Sequence, residues 1–176
     1  GPLAAADGAE DLPLGGPLQR AVLAVLVAEA GHPLTADRIV TDVWGDGGDD
    51  RSTASLYTYI STLRHVLGRD RIVHDSTGYR LDLLDGDMID AVQFECDLGR
   101  AQRLLADDPA GAAELLDGAL ASWNGRPYEG MEDIASLAPV ITRLEEQRFG
   151  ARADRIDAVL RAGDVPEVVE AAQLCQ

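Results

Sequence analysis

The chain has 176 residues, with 31 Asp and Glu against 15 arginines, no lysine, and a net charge of -16. A composition 46% hydrophobic and 26% charged describes a globular chain with one sizeable core or two small ones and excludes extended disorder. The longest apolar run, AVLAVLVA at 21–28, is too short for a bilayer core of ~30 Å, and the N-terminus lacks the basic flank of a secretion signal. A cytoplasmic protein without membrane contact is expected.

Cys96 and Cys175 have no partner at metal-binding or redox spacing, so both are expected to be small core residues in a reducing compartment. The acidity argues against nucleic acid until its distribution is considered. Residues 51–80 hold five arginines against Asp70 and Asp75, a balance of +3, whereas residues 87–176 hold 8 arginines against 18 acids, a balance of -10. One patch is basic, and the remainder repels polyanions.

In chain order, residues 1–16 lack a helical period and read as strand ends around the turn AADGAED. Pro17 suits a first helical position, and 17–30 runs apolar until Gly31, predicting a helix buried nearly all round. Thr35 is expected to cap a second helix whose inner face is Ile39, Val40, Val43 and Trp44, closed by Gly45. An acidic loop, Asp46-Gly47-Gly48-Asp49-Asp50, follows, and Asp50 or Ser52 is a candidate cap for the next helix.

The segment RSTASLYTYISTLRHVLG, 51–68, contains no carboxylate. Leu56, Ile60, Leu63 and Leu67 fall within about 60° of one another on a wheel of 100° per residue and form its core face. Opposite lie Arg51, Ala54, Ser55, Thr58, Thr62, His65 and Arg69, small, polar or basic, a surface fit to enter a groove. Next, RIVHDSTGYRLDL at 71–83 reads as two short strands joined through Ser76-Thr77-Gly78, with Tyr79, Leu81 and Leu83 facing inward and Arg80 outward. Three helices followed by a hairpin form the winged-helix arrangement.

From Asp90 onward the pattern is helical, with helices expected at about 91–106, 110–122, 136–162 and 165–175 and a loop, WNGRPYEG, at 123–130. Trp123, Pro127 and Tyr128 are expected to pack helix ends together. Antiparallel helix pairs of these lengths predict a repeat-type array, and a last helix without a neighbour predicts a domain cut short at its C-terminus. The expected fold is therefore an α+β winged helix-turn-helix domain at 1–86 followed by an all-α, tetratricopeptide-like domain at 87–176.

No enzyme is expected: there is no phosphate-binding Gly-rich loop, no nucleophile motif, and no metal-ligand spacing among His32, His65 and His74. No cofactor is implied. Glu145, Glu146, Asp154 and Asp157 share a long helix with Arg143, Arg148, Arg152 and Arg155, which reads as ion pairing at i, i+3 and i+4 on a solvated face.

With these elements placed, the sequence resembles the streptomycete antibiotic regulatory protein family, in which an OmpR-like winged helix precedes a bacterial transcriptional activator domain. The matching stretches are LPLGGPLQRAVLAVLV (12–27), LTADRIVTDVWGD (34–46), YISTLRHVLG (59–68), TGYRLDL (77–83), IDAVQFE (89–95) and ALASWNGRPY (119–128). The resemblance implies a transcriptional regulator that binds double-stranded promoter DNA, often at direct repeats, and recruits RNA polymerase as an activator. It places the polymerase-contacting loop at Asp46, Asp49 and Asp50.

For the DNA face, Arg51, Ser55, Thr58, Thr62 and His65 are the candidates for base edges, where Arg meets guanine and hydroxyl or methyl groups meet other bases. Arg64 is assigned to a phosphate or to bracing the helix, and Arg69, Arg71 and Arg80 to a positive rim reaching the wing. Roughly four neutralised phosphates imply a salt slope of about -3.6 in log K against log salt, so useful affinity is expected to need two subunits side by side. Two features oppose this reading. Asp75 sits near the wing tip, and residues 1–86 carry 7 arginines against 13 acids. The alternative is an interaction or autoinhibitory module of a larger regulator whose winged helix has lost DNA binding.

Overall fold

Pro17, which has no backbone N–H to leave unpaired, opens helix α1, Pro17–Ala28. Every residue from Ala21 to Leu26 is buried, as an apolar helix enclosed by its neighbours requires. The computed structural model describes residues 1–45 and 50–163. These fall into two compact units, residues 1–87 with 128–141, and residues 88–127 with the chain from Thr142 onward.

In the first unit, the expected N-terminal turn is a small antiparallel hairpin, β1 (Ala6–Asp7) with β2 (Glu10–Asp11). Thr35 accepts the Arg38 N–H at 3.2 Å and caps α2, Ala36–Trp44, and Gly45 closes it at φ +78°, a value glycine tolerates. Helix α3 spans Asp50–Leu67. Ser52 therefore lies inside the helix and not at its cap, because the helix has already begun two positions earlier.

Leu56, Ile60 and Leu63 of α3 are buried to 2% exposure or less, packed with α1 and α2. Leu67, expected in the same face, is half-buried at the helix end. Strands β3 (Ile72–Asp75) and β4 (Gly78–Leu81) pair antiparallel, with Asp75 opposite Gly78 and Ile72 opposite Leu81. Tyr79 and Leu81 face the core as expected, but Leu83 is 45% exposed because β4 ends at Leu81 and the inward alternation ends with it.

The hairpin carries a third rung that its own sequence did not announce. Leu34 and Tyr79 exchange backbone hydrogen bonds, each N···O at 2.7 Å, and Gly31 N–H donates to Leu81 O at 3.0 Å. The residue before the cap of α2 is thereby sewn to the wing. Tyr128, Ile134, Leu137 and Ile141, all buried, also belong to this first unit.

In the second unit, α4 (Asp90–Leu104) and α5 (Pro109–Ala121) pack together across a short connection. Asp108 caps α5 by accepting the Gly111 N–H at 3.0 Å. Small residues of α5 and of α6, Ala138–Ala162, make a core cluster here: Ala112, Ala113, Ala158 and Val159 pack with Leu104 and Leu105. Trp123 meets Phe94 edge-on at 5.1 Å and lies under the Arg148 guanidinium at 4.6 Å, and Pro127 is buried, so Trp123 and Pro127 of this loop serve packing. Burial, and then neighbouring Arg152, lower the Arg148 pKa.

Two expectations for this unit change. The α6 arginines reach mainly across to other elements: Arg143 pairs with Glu95, Arg155 with Asp117, and Glu145 accepts from Arg126 at 3.0 Å. Only Arg161 with Asp157 is an i, i+4 pair on α6 among the described residues. Cys96 is exposed, because the buried positions of α4 are Phe94, Leu98 and Ala101 and residue 96 falls on the opposite side. Cys175 and the expected helix at 165–175 lie outside the described residues.

Candidate nucleic-acid interface

Burying Leu56, Ile60 and Leu63 turns the opposite face of α3 outward, and on it Arg51, Thr58, Thr62 and His65 are exposed while Ser55 is half-buried; Arg69, expected on the same face, is exposed but lies past the helix end, which Gly68 closes. The hydroxyls of Ser55, Thr58 and Thr62 each donate to the carbonyl four residues back, to Arg51 O at 2.8 Å, Ala54 O at 3.1 Å and Thr58 O at 3.0 Å. Their protons are thus held by the helix itself. What faces outward is an acceptor lone pair, with a methyl group on each threonine, suited to the amino groups of adenine or cytosine and to the thymine methyl in a major groove.

The cationic rim is smaller than the sequence suggested. Arg71 forms a bidentate pair with Asp87, both N···O distances 2.7 Å, and its remaining terminal nitrogen donates to Leu67 O at 2.7 Å. It caps the C-terminal carbonyls of α3 and anchors the 84–87 turn, in which Asp87 also accepts the Leu84 N–H at 3.0 Å. Arg80 is held by Asp82, with Nη2···Oδ2 at 2.9 Å, and its other terminal nitrogen lies 3.5 Å from Asp75. Neither guanidinium is free for a phosphate.

Arg64 takes the bracing role that was one of its two assignments. Its Nε donates to Ile72 O at 2.7 Å, and its guanidinium stands 6.0 Å from the centroid of Tyr79, so it locks α3 to the hairpin. Among the described residues, Arg51 and Arg69 have no carboxylate partner, which leaves them and His65 as the exposed basic groups of the face. Asp75 is turned back on its own turn, accepting from Thr77 N–H at 2.7 Å, and the Thr77 hydroxyl is the leading cause of its lowered pKa. The loop residues Asp46 and Asp49 lie outside the described residues, and Asp50 opens α3.

The Asp87 pKa is lowered, chiefly by Arg71 and then by the Leu84 N–H. A depressed carboxylate contributes stability that is complete above its unfolded value near ~4 and is lost as pH falls through the folded value. Both groups are partly exposed, so the pair is worth about 1 kcal/mol after solvent screening. Asp87→Asn should lower the Tm at pH 7 by about 4–8 °C, with the gap to wild type closing below pH ~3 in calorimetric scans. A gap that persists unchanged at acid pH would remove the ion pair as its cause.

Together, the helix-turn-helix and the hairpin beside it define a domain of the winged-helix class, and a separate helical unit accompanies it in the chain. Residues 12–81 match the family described as transcriptional regulatory protein, C terminal, and residues 89–175 match the bacterial transcriptional activator domain. The chain belongs to the streptomycete antibiotic regulatory protein family. It is 33% identical to the regulatory protein AfsR of Streptomyces griseus over 96% of this chain and 17% of that protein. To the transcriptional regulatory protein EmbR of Mycobacterium tuberculosis it is 30% identical, over 96% of this chain and 45% of that one.

A solved structure of Mycobacterium tuberculosis EmbR, in complex with a low-affinity phosphopeptide, superposes with a TM-score of 0.90 at 28% identity, covering 99% of this chain and 48% of the other. The chain thus spans less than half the length of these relatives. No helix among the described residues is long and apolar enough to cross a membrane, and no group of metal-ligating side chains occurs among them.

Proposed function

We propose that this chain binds double-stranded promoter DNA with α3 in the major groove and the β3–β4 wing beside it, and that it activates transcription by recruiting RNA polymerase. In this reading Arg51, Ser55, Thr58, Thr62 and His65 face base edges, and Arg69 takes a phosphate. Arg64, Arg71 and Arg80 hold the helix and wing in place. The acidic loop at Asp46, Asp49 and Asp50 presents carboxylates to a basic polymerase surface, the helical unit serves contacts between subunits on adjacent repeats, and the protein works in the cytoplasm on the nucleoid. No catalytic step and no cofactor enter.

The carrying observation is the outward face of α3: in a chain of net charge -16, its exposed positions from Arg51 to Arg69 bear no carboxylate. A merely solvated helix on so acidic a protein has no reason to exclude them. With about two positive charges brought onto the DNA per subunit, Arg51 at a base edge and Arg69 at a phosphate, the slope of log K against log salt is about -1.8, not the -3.6 that four such charges would give. Between 50 and 200 mM salt the affinity of one subunit should then fall about 12-fold.

Fluorescence anisotropy with a selected and a scrambled duplex measures both slope and preference. A slope near -3.6 would return Arg71 and Arg80 to the interface. The winged half is itself acidic, 7 arginines against 13 acids, and this favours the second reading, an interaction module; the absence of saturable binding at low salt, with the fold intact, would put that reading first.

A further inference from the structure

Tyr57 is 53% exposed, a large aromatic on a flank of α3 that belongs neither to the core stripe nor to the polar face described above. Ser61 and Arg64 share that flank, one and two turns further on. Arg64 shows which way it looks, since its Nε reaches the carbonyl of Ile72 in β3 and its guanidinium stands over Tyr79 of β4. Tyr57 therefore stands where the reading helix and the wing converge. Its phenol is near enough to that of Tyr79 to help raise the Tyr79 pKa, after burial and against the opposing charge of Arg64.

His74 reaches the same place from the hairpin. Alternation puts Ile72 and His74 on one side of β3, with their cross-strand partners Leu81 and Tyr79. Ile72, Leu81 and Tyr79 are buried, whereas His74, at the open end of that side, is exposed and stacked on Tyr79 at 4.3 Å between centroids. Two aromatic side chains with polar tips thus border Tyr79 from α3 and from β3, and no packing requirement accounts for their exposure.

We propose that Tyr57 and His74 form a clamp on the sugar–phosphate strand that runs between the reading helix and the wing. This rests on the proposal that α3 enters the major groove, which brings one groove-lining strand along the flank carrying Tyr57. The phenol O–H and an imidazole N–H donate to phosphate oxygens, and the rings cover the sugars. Donors other than arginine suit this wing, where Arg71 and Arg80 are already committed to Asp87 and Asp82. Such contacts fix register and depth without reading sequence, and the Tyr57 phenol, which carries no charge, releases no counterion.

The test is anisotropy on selected and scrambled duplexes from 50 to 200 mM salt, with Tyr57→Phe, Tyr57→Ala, His74→Ala, Arg69→Ala and Thr58→Asp. Tyr57→Phe should weaken binding about fivefold, as loss of one solvent-exposed hydrogen bond of ordinary strength does, and Tyr57→Ala should weaken it about tenfold or more. His74→Ala should resemble Tyr57→Phe. Each loss should be equal on the two duplexes, and for the Tyr57 variants the salt slope should stay at the wild-type value. Arg69→Ala, in contrast, should make the slope shallower by about 0.9.

Tyr57→Ala and His74→Ala binding within twofold of wild type, while Thr58→Asp abolishes binding, overturns the clamp and leaves the reading face standing. A Tyr57→Ala loss confined to the selected duplex also overturns it, making Tyr57 a base-reading residue. If Thr58→Asp is equally harmless, the reading face falls and the clamp with it. Circular dichroism on Tyr57→Phe, the gentlest change, separates lost contact from lost fold.

Discussion

Thr58→Asp should abolish sequence-preferring DNA binding, lowering affinity at least about 100-fold while thermal stability stays within a few degrees of wild type. Thr58 is exposed in the middle of the outward face of α3, with Ala54 and Thr62 on adjacent turns. Its hydroxyl is satisfied by Ala54 O at 3.1 Å, so no tertiary contact is lost when it is replaced. Helix propensities of Thr and Asp are close, and exposed substitutions of this kind usually fall within about 0.5 kcal/mol.

On DNA the same change removes a methyl group from the groove and sets a carboxylate among phosphates. Loss of one base contact costs about 1–3 kcal/mol, and the repulsion adds to it. Thr58→Ser, which keeps the oxygen and drops the methyl, should cost only a few-fold and only where a thymine methyl is met. If Thr58→Asp binds as wild type does, α3 does not enter a groove, and the interaction-module reading stands in its place.

Periodicity in the sequence sufficed for α3 because each turn repeats the same choice: apolar at Leu56, Ile60 and Leu63, small or polar opposite. What it could not supply was the fate of the arginines. Arg71 and Asp87 are sixteen residues apart and meet only because β3 and the 84–87 turn fold back on α3; no local pattern contains that pair. Arg80 and Asp82 are a different case. Two residues apart in extended chain they share a side, so their pairing is legible in the sequence itself. On α6, spacing offered i, i+4 partners, but side chains on neighbouring elements lay nearer, and Arg143 and Arg155 took Glu95 and Asp117. Nor did any pattern announce that residues 128–141 pack with the winged helix, since their apolar positions suit either unit.

The same limit applies to Gly78, which the sequence marks as a turn residue and the structure makes a joint. At φ +135°, a Cβ on it would lie 2.1 Å from Leu34 O and 2.5 Å from Leu34 C. Both are backbone atoms, and they cannot swing aside as a side chain would. They are also the atoms through which Leu34 pairs with Tyr79, one residue before the Thr35 cap of α2. Gly78→Ala must therefore either break that pair or push the wing away from the helix-turn-helix.

The expected cost is about 3 kcal/mol, combining backbone strain with the lost pairing, or a Tm lower by about 12–24 °C. Gly86→Ala is the control. It has a positive φ of +93° but nothing within 4 Å of the added carbon, so it should cost about 1–2 kcal/mol from backbone strain alone. Equal losses in the two variants, read by thermal denaturation, would show that conformation and not close approach is what Gly78 supplies. A larger loss at Gly78, together with weakened binding to selected and scrambled duplexes alike, would show that the Leu34 rung sets the wing at the distance from α3 at which both can touch one DNA strand.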